Sequence, residues 1–79
     1  MATRIIHVGK IYRHYKKKEY QVIAIAHDTG DPSIKYVIYQ ARYDSPEFGH
    51  NTIWARKYDM FAEDIIMNGK QQPRFEEII

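Results

Sequence analysis

The stretch from Ile34 to Tyr43 most constrains the fold, because it has the composition of one long strand within a short chain. At about 3.3 Å per residue, a straight strand of this length would run past roughly 30 Å. A chain of 79 residues offers no flat sheet of that length. We therefore expect the strand to bend and to serve two sheets, which is typical of small closed or half-closed barrels.

Turn-forming residues divide the rest of the chain into further short segments. Strands are predicted at 10–16, 19–28 and 52–56, with a tight turn at Lys17-Lys18 and loops at 28–33 and 44–51. The segment 19–28 carries apolar residues on both faces in its middle, so we expect a central strand that is covered on both sides.

The C-terminal third contains one helix signal and one hairpin signal. Asp59 is predicted to cap a single helical turn through 60–63, with Phe61 and Ile65 facing inward. Asn68-Gly69 predicts a two-residue hairpin, and Pro73 confines the last strand to an edge.

Together these elements predict one mostly β domain over residues 1–79. The favoured architecture is a small SH3-like barrel of five or six short antiparallel strands with one helical turn. An oligonucleotide-binding-fold barrel and a small α+β sheet are the alternatives. A chain of this length buries only about 60% of its unfolded surface. With 44% hydrophobic residues, it still has enough apolar mass for one core.

The chain has no cysteine, which excludes disulfides and thiolate metal sites and suits a reducing compartment. Its start lacks the apolar stretch of a secretory signal. The longest apolar run, Val22 to Ala26, is far short of the roughly 20 residues that cross a bilayer. We therefore expect a cytoplasmic protein with no membrane partner.

The net charge of +2 conceals an asymmetry along the chain. Residues 1–27 carry six basic residues and one acidic residue, whereas residues 28–79 carry six basic and nine acidic residues. A basic N-terminal third attracts phosphates or acidic protein surfaces. The alternative is that lysines at a turn keep a sheet edge soluble.

Asp28-Thr29-Gly30 is the sharpest local match to a catalytic motif. Aspartic proteases place Asp-Thr-Gly after an apolar strand and share a proton between two copies of the aspartate, and a homodimer would supply the second copy. A match of three residues is weak, and Asp-Thr-Gly-Asp-Pro is also an ordinary turn. We interpret the segment as a turn.

The remaining chemistry-bearing residues predict no metal site, no cofactor and no complete catalytic site. None of the four histidines has the spacing of a helical metal site. His14 and His27 would meet only across the first hairpin, and pairs whose numbers sum to about 35 leave His27 beyond the paired region. The two serines, Ser33 and Ser45, lie in turns with no partner at a recognisable spacing.

Aromatic and basic residues alternate on two of the predicted strands. Tyr12, His14 and Lys16 share one face of the first strand, and Trp54 and Arg56 share one face of a later strand. Such a set can stack bases and neutralise phosphates of single-stranded nucleic acid. The same residues can cradle an extended peptide, or can simply pack as core and rim.

Several short motifs share a pattern with a known family. They are Gly9-Lys10-Ile11-Tyr12-Arg13-His14-Tyr15-Lys16, Tyr20-Gln21-Val22, Ala26-His27, Val37-Ile38-Tyr39-Gln40-Ala41, Trp54-Ala55-Arg56, Met60-Phe61 and Pro73-Arg74-Phe75. Over about residues 8–76 this combination resembles the domain of unknown function 1653 family, which comprises short bacterial proteins with no assigned activity. The resemblance implies a mostly β fold. It also implies that His14, His27, Trp54 and Arg56 lie together.

The chain departs from the family pattern at three places. Lys17-Lys18 stands where the family favours glycine and a small residue, and Lys57 stands where proline tends to follow Trp-x-Arg. Both departures add positive charge. Asp28-Thr29-Gly30 replaces a Ser-Glu-Thr-like stretch, which further disfavours the protease interpretation.

The leading hypothesis is a non-enzymatic binding module for an anionic ligand such as RNA or single-stranded DNA. Its candidate ligand-binding residues are Tyr12, His14, Lys16, His27, Trp54 and Arg56. In this hypothesis Tyr12 and Trp54 stack bases, and Lys16 and Arg56 neutralise phosphates. The alternative is a protein-interaction adaptor that uses the same surface or a free sheet edge as a homodimer. A third hypothesis is a small-substrate enzyme with His14 or His27 as general base beside Arg56.

Overall fold

The structure is a computed structural model that describes residues 4–78. Within these residues the chain forms nine strands and one short helix. In chain order they are β1 (Ile11–His14), β2 (Glu19–His27), β3 (Lys35–Ala41), β4 (Asp44–Ser45), β5 (Gly49–His50), β6 (Ile53–Lys57), α1 (Tyr58–Ala62), β7 (Asp64–Met67), β8 (Lys70–Pro73) and β9 (Phe75–Glu77). The prediction of a mostly β domain is confirmed.

Five of the strands form one antiparallel sheet in the order β6-β3-β2-β1-β9. The other four form two separate hairpins, β4 with β5 and β7 with β8. Strands β6 and β9 lie at opposite edges of the main sheet and do not pair with each other. The sheet is therefore open, and the predicted SH3-like barrel is not confirmed.

The predicted long strand from Ile34 to Tyr43 is interrupted. The main-sheet strand β3 ends at Ala41, and the chain pairs again only at Asp44, in the separate β4–β5 hairpin. At the interruption, the Arg42 N–H donates to the carbonyl of Glu19 (3.1 Å). The stretch 34–43 therefore contributes a strand to the main sheet only, because β4 begins beyond it at Asp44. The expectation of one continuous strand is wrong, and the expectation that this stretch serves two sheets is not confirmed.

The first hairpin turns between His14 and Lys18. The His14 N–H donates to the Lys18 carbonyl (2.8 Å), and Lys17 takes a φ of 81°. Tyr12 consequently pairs with Tyr20, so that paired residue numbers sum to 32 rather than the predicted 35. The error arose because the turn was centred on Lys17-Lys18, whereas its centre lies at Lys16.

Strand β2 is central in the sheet, as predicted, but it is not covered on both sides. The register shifts between Val22 and Ala24, which is a β-bulge. Val22 is fully buried on the core face, whereas Ile23 and Ala24 are exposed. The core of the domain therefore lies on one face of the sheet only.

That core is built around aromatic rings. Phe61 of α1 is fully buried and stacks on Phe75 of β9, with ring centroids 3.9 Å apart and planes 7° apart. Tyr12 and Tyr39 meet the Phe61 ring edge-on at 5.6 and 5.1 Å. Val22 and Val37 complete the fully buried set. Helix α1 thus closes the core by inserting one ring among the strands.

Two C-terminal predictions have different outcomes. Asn68 and Gly69 both have positive φ, 53° and 77°, and connect β7 to β8 in the predicted two-residue hairpin. The predicted cap at Asp59 is wrong, because helix α1 already begins at Tyr58 with Lys57 as N-cap and no side-chain cap bond. Asp59 lies inside the first turn, where its negative charge interacts favourably with the helix dipole.

Within the described residues, no helix is long and apolar enough to span a membrane.

Candidate functional site

Polar and basic side chains gather around the Phe75 ring on the core face of the sheet. We call His14, Tyr20, Tyr39, Arg56 and Phe75 the Phe75 cluster. The rings of His14, Tyr39 and Tyr20 meet Phe75 edge-on, with centroids 4.8, 5.6 and 5.9 Å away. The guanidinium carbon of Arg56 lies 5.6 Å from the Phe75 centroid. Strands β1, β2, β3, β6 and β9 each contribute one member, so the cluster depends on the tertiary fold.

Arg56 is the cluster member whose positive charge pairs with no carboxylate within residues 4–78. Its Nε donates to the Tyr39 hydroxyl (3.4 Å), and its planar group lies over an aromatic ring. Between residues 4 and 78, the other arginines, Arg4, Arg13, Arg42 and Arg74, each form an ion pair with a carboxylate. Arg56 forms none within that range. A half-buried guanidinium with no carboxylate partner is a ready anion ligand.

His14 lies in a positive field. Burial is the largest cause that lowers its pKa, followed by the charges of Arg56, Arg74 and Lys16. The Lys16 N–H donates to His14 Nδ1 (3.1 Å), which fixes the neutral ring with its proton on Nε2. The imidazole is therefore a neutral hydrogen-bond donor in a group of cations.

Tyrosine hydroxyls border the same cluster. The hydroxyls of Tyr20 and Tyr43 share a hydrogen bond of 2.8 Å. Burial raises the pKa of Tyr20, and the bond to Tyr43 raises it further, so the phenol stays protonated. The Lys18 ammonium lies 4.7 Å from the centroid of the Tyr43 ring. This side of the cluster offers neutral hydroxyls and a further positive charge.

An aromatic pair lies beside Arg56. Trp54 precedes Arg56 by two residues on the same face of β6 and pairs in register with Tyr39. The Phe48 ring, from the turn of the β4–β5 hairpin, meets Trp54 edge-on at 5.1 Å and is 55% exposed. The Trp54 Nε1 is buried and has no hydrogen-bond partner within residues 4–78. Phe48 therefore presents an exposed ring next to a half-buried indole.

Tyr12 does not belong to this surface. It is 3% exposed, and its hydroxyl accepts from the His7 N–H (2.9 Å) and donates to Glu77 (2.9 Å). A ring packed on Phe61 cannot stack on a ligand base without opening the core. This placement corrects the prediction that Tyr12 stacks bases, and its function is to join the N-terminal segment to β9.

His27 also lies elsewhere. It ends β2 opposite Lys35, and its Nδ1 is 2.8 Å from the carbonyl oxygen of Pro32. Gln21, the partner of Ile11, is six residues away along the same strand, which corresponds to about 20 Å. His14 bonds to Lys18, which lies on the other side of Gln21 from His27, so His14 and His27 are more than about 20 Å apart along the strand. The structure thus places His14 near Arg56, which follows Trp54 on the same face of β6. His27 is left out, which corrects the grouping that the family resemblance implied.

The candidate residues chosen from the sequence omitted six residues of the site. They are Lys18, Tyr20, Tyr39, Tyr43, Phe48 and Phe75. A signal was present for Phe48, an aromatic residue inside a turn between Pro46 and Gly49. Phe75 stood only in the family motif Pro73-Arg74-Phe75, because its strand of three residues is too short to show alternation. Within residues 4–78, no group of three His, Asp or Glu side chains is arranged to hold a metal ion.

The titration of His14 tests the electrostatics of the cluster. We expect its NMR midpoint below the ordinary value of 6.5, and we expect Arg56→Gln to raise it, because one cation is removed. Since the unfolded chain binds this proton more readily, the free energy of unfolding should fall as pH decreases from 6.5 through the folded midpoint.

His50 is the internal control for this measurement. The hydrogen bond to Asp44 raises its pKa, and it lies on the exposed β4–β5 hairpin. Arg56→Gln should therefore leave the His50 midpoint unchanged. A His14 midpoint at or above 6.5, or one that ignores Arg56→Gln, would show that this positive field is absent.

The family of the chain follows from its sequence match. The model of the family described as "Protein of unknown function (DUF1653)" matches residues 10–77. The chain belongs to the DUF1653 family. The resemblance seen in the sequence is therefore confirmed. No curated protein matches the chain.

A solved structure supports the same fold. The crystal structure of a DUF1653 protein from Bordetella bronchiseptica is similar to this chain with a TM-score of 0.79. The two are 23% identical, and the match covers 98% of this chain and 92% of that chain. At this identity the similarity establishes the fold and does not extend to function.

Proposed function

We propose that this DUF1653 chain is a non-enzymatic module that binds single-stranded RNA or DNA through the Phe75 cluster and its surroundings. The observation that carries the proposal is Arg56. It is the one arginine between residues 4 and 78 without a carboxylate, and it is held in place by Tyr39 and Phe75. An ordered, unpaired guanidinium is suited to a phosphate group.

Further positive charges surround Arg56. The charges of Arg56, Arg74 and Lys16 all act on His14, and Lys18 lies over Tyr43. Arg74 is neutralised by Glu63 (3.2 Å), whereas Lys16 and Lys18 form no ion pair within the described residues. Spaced positive charges of this kind follow a phosphate backbone rather than one isolated anion.

Aromatic rings supply the second half of the proposed interface. Phe48 is exposed, and its ring contacts Trp54 edge-on. Trp54 lies two residues before Arg56. Bases of a single strand stack on such rings at about 1–3 kcal/mol per base. In this proposal Trp54 keeps its predicted stacking role and Phe48 replaces Tyr12 beside it. Arg56, Lys16 and Lys18 contact phosphates.

The surroundings of His14 favour binding over acid–base catalysis. Its Nδ1 accepts a backbone hydrogen bond, and its charged neighbours are cations that weaken it as a base. No carboxylate within residues 4–78 hydrogen-bonds its ring to orient it. His14 is instead suited to donate a neutral Nε2–H bond to a ligand oxygen.

An NMR titration tests the proposal. The labelled protein is mixed with a pool of short single-stranded RNA and DNA oligonucleotides at low salt. We expect amide shifts at residues 14–18, 43, 48 and 54–56, together with the Trp54 indole, and we expect added salt to reverse them. Heparin serves as the control polyanion, because it has charge but no bases.

The Phe48–Trp54 pair and the lysine-rich turn should respond differently to oligonucleotides and to heparin. Oligonucleotides should move the Phe48 and Trp54 signals, whereas heparin should move mainly the lysine-rich turn. The absence of shifts at saturating oligonucleotide, or an identical response to heparin, would contradict the proposal.

A further inference from the structure

Strand β6 leaves one edge of the main sheet without a partner. Its only ladder within residues 4–78 is with β3, and that ladder has no bulge. The strand contains no proline, and Ile53 on its outer face is 51% exposed. An open edge of this kind offers backbone donors and acceptors to another strand.

The alternation of the ladder shows which backbone groups are free. The Ala41 N–H donates to the Thr52 carbonyl (2.8 Å), which makes this a hydrogen-bonded pair in line with the β3–β6 register. Trp54 and Arg56 then also bond to β3, so the backbone groups of Ile53, Ala55 and Lys57 face outward. Lys57 is the N-cap of α1, so its carbonyl serves the helix and only its N–H is free.

We infer that a second copy of this chain pairs with this edge, β6 against β6, about a two-fold axis through Ala55. In this register Ala55 exchanges two bonds with the partner's Ala55. Each Lys57 N–H donates to the carbonyl of the partner's Ile53. Four backbone bonds form, and the two five-stranded sheets become one continuous sheet.

Side chains of the same register complement each other. On the core face, Trp54 lies beside the partner's Arg56 and forms a cation–π pair with it. Within residues 4–78 of its own chain, that arginine pairs with no carboxylate. On the outer face, Ile53 lies opposite the stem of the partner's Lys57. The small Ala55 lets the two strands meet closely at the axis. The inference rests on the free edge of β6 and not on nucleic-acid binding. Because Trp54 and Arg56 are also proposed to contact oligonucleotide, we expect oligonucleotide to compete with dimer formation.

The sign of a charge at position 53 tests the register. Sedimentation equilibrium over micromolar to millimolar protein should show a reversible dimer. Ile53→Lys places a lysine opposite the partner's Lys57 and should weaken association at least tenfold. Ile53→Glu places an acid there and should preserve or strengthen it. Ile66→Lys, at an isoleucine that is 71% exposed on the β7–β8 hairpin, is the matched control and should dimerise normally.

A backbone substitution gives an independent test. Ala55→Pro removes an N–H that faces outward, so β3–β6 pairing survives and the variant should be a folded monomer by NMR. A wild-type chain that stays monomeric would overturn the inference. So would a dimer that Ile53→Lys leaves intact, or one that Ile53→Glu disrupts as much as Ile53→Lys does. Oligonucleotide binding by the Ala55→Pro monomer tests the proposed function separately.

Discussion

Replacing Phe61 with alanine is expected to leave the domain largely unfolded. The side chain is fully buried, stacks on Phe75 at 3.9 Å and touches Tyr12 and Tyr39 edge-on. Truncating a buried phenylalanine costs about 3–5 kcal/mol, which includes the cavity left behind. A domain of this size has a total stability near the lower end of about 5–15 kcal/mol. The substitution should therefore remove most of the free energy of unfolding.

Urea denaturation followed by circular dichroism measures this loss. Phe48→Ala is the matched control, because Phe48 is 55% exposed and its aromatic contact within residues 4–78 is with Trp54 alone. We expect this variant to lower the free energy of unfolding by less than about 1 kcal/mol. Equal effects at the two positions would show that the core does not centre on the Phe61–Phe75 stack.

Replacing Arg56 with glutamine is expected to weaken oligonucleotide binding by about ten- to hundredfold. Hydrogen bonds to charged groups contribute about 1.5–3 kcal/mol, and each 1.4 kcal/mol is a factor of ten in affinity. Glutamine keeps hydrogen-bonding capacity and removes the charge. One phosphate contact fewer should also lower the salt slope of binding by about one.

Fluorescence anisotropy with a labelled oligonucleotide, measured over a salt series, gives both quantities. Lys70→Gln is the matched control, since it removes one exposed cation from the separate β7–β8 hairpin. Its affinity should change by less than about twofold. If Lys70→Gln weakens binding as much as Arg56→Gln does, the interaction follows net charge and not the Phe75 cluster.

Local chemistry in the sequence predicted local structure well. Asn68-Gly69 forms its hairpin because both residues tolerate positive φ. The apolar run at Val22 to Ala26 does lie in the central strand. His14, Trp54 and Arg56 were chosen because aromatic and basic residues alternate on strands. His14 and Arg56 do lie against Phe75, and Trp54 lies on the same face of β6 as Arg56.

Register and burial were where sequence reasoning failed. The first hairpin turns at Lys16 and not at Lys17-Lys18, so the numbers of paired residues sum to 32 instead of the predicted 35. Tyr12 shares its face with His14, yet it lies under Phe61 in the core, whereas His14 lies at the edge of Phe75. Periodicity assigns a face to a residue but not a depth, because depth depends on what packs above that face.

The sequence by itself determined the elements: short strands, their turns, one helical turn, and a chain without cysteine that must rely on its core. Only the tertiary structure decided that the sheet stays open, that β9 brings Phe75 against His14, and that Arg56 lacks a carboxylate among the described residues. Turns and alternation are set by neighbouring residues. Strand order and charge pairing instead join residues far apart in the chain, so they depend on the packing of the whole domain.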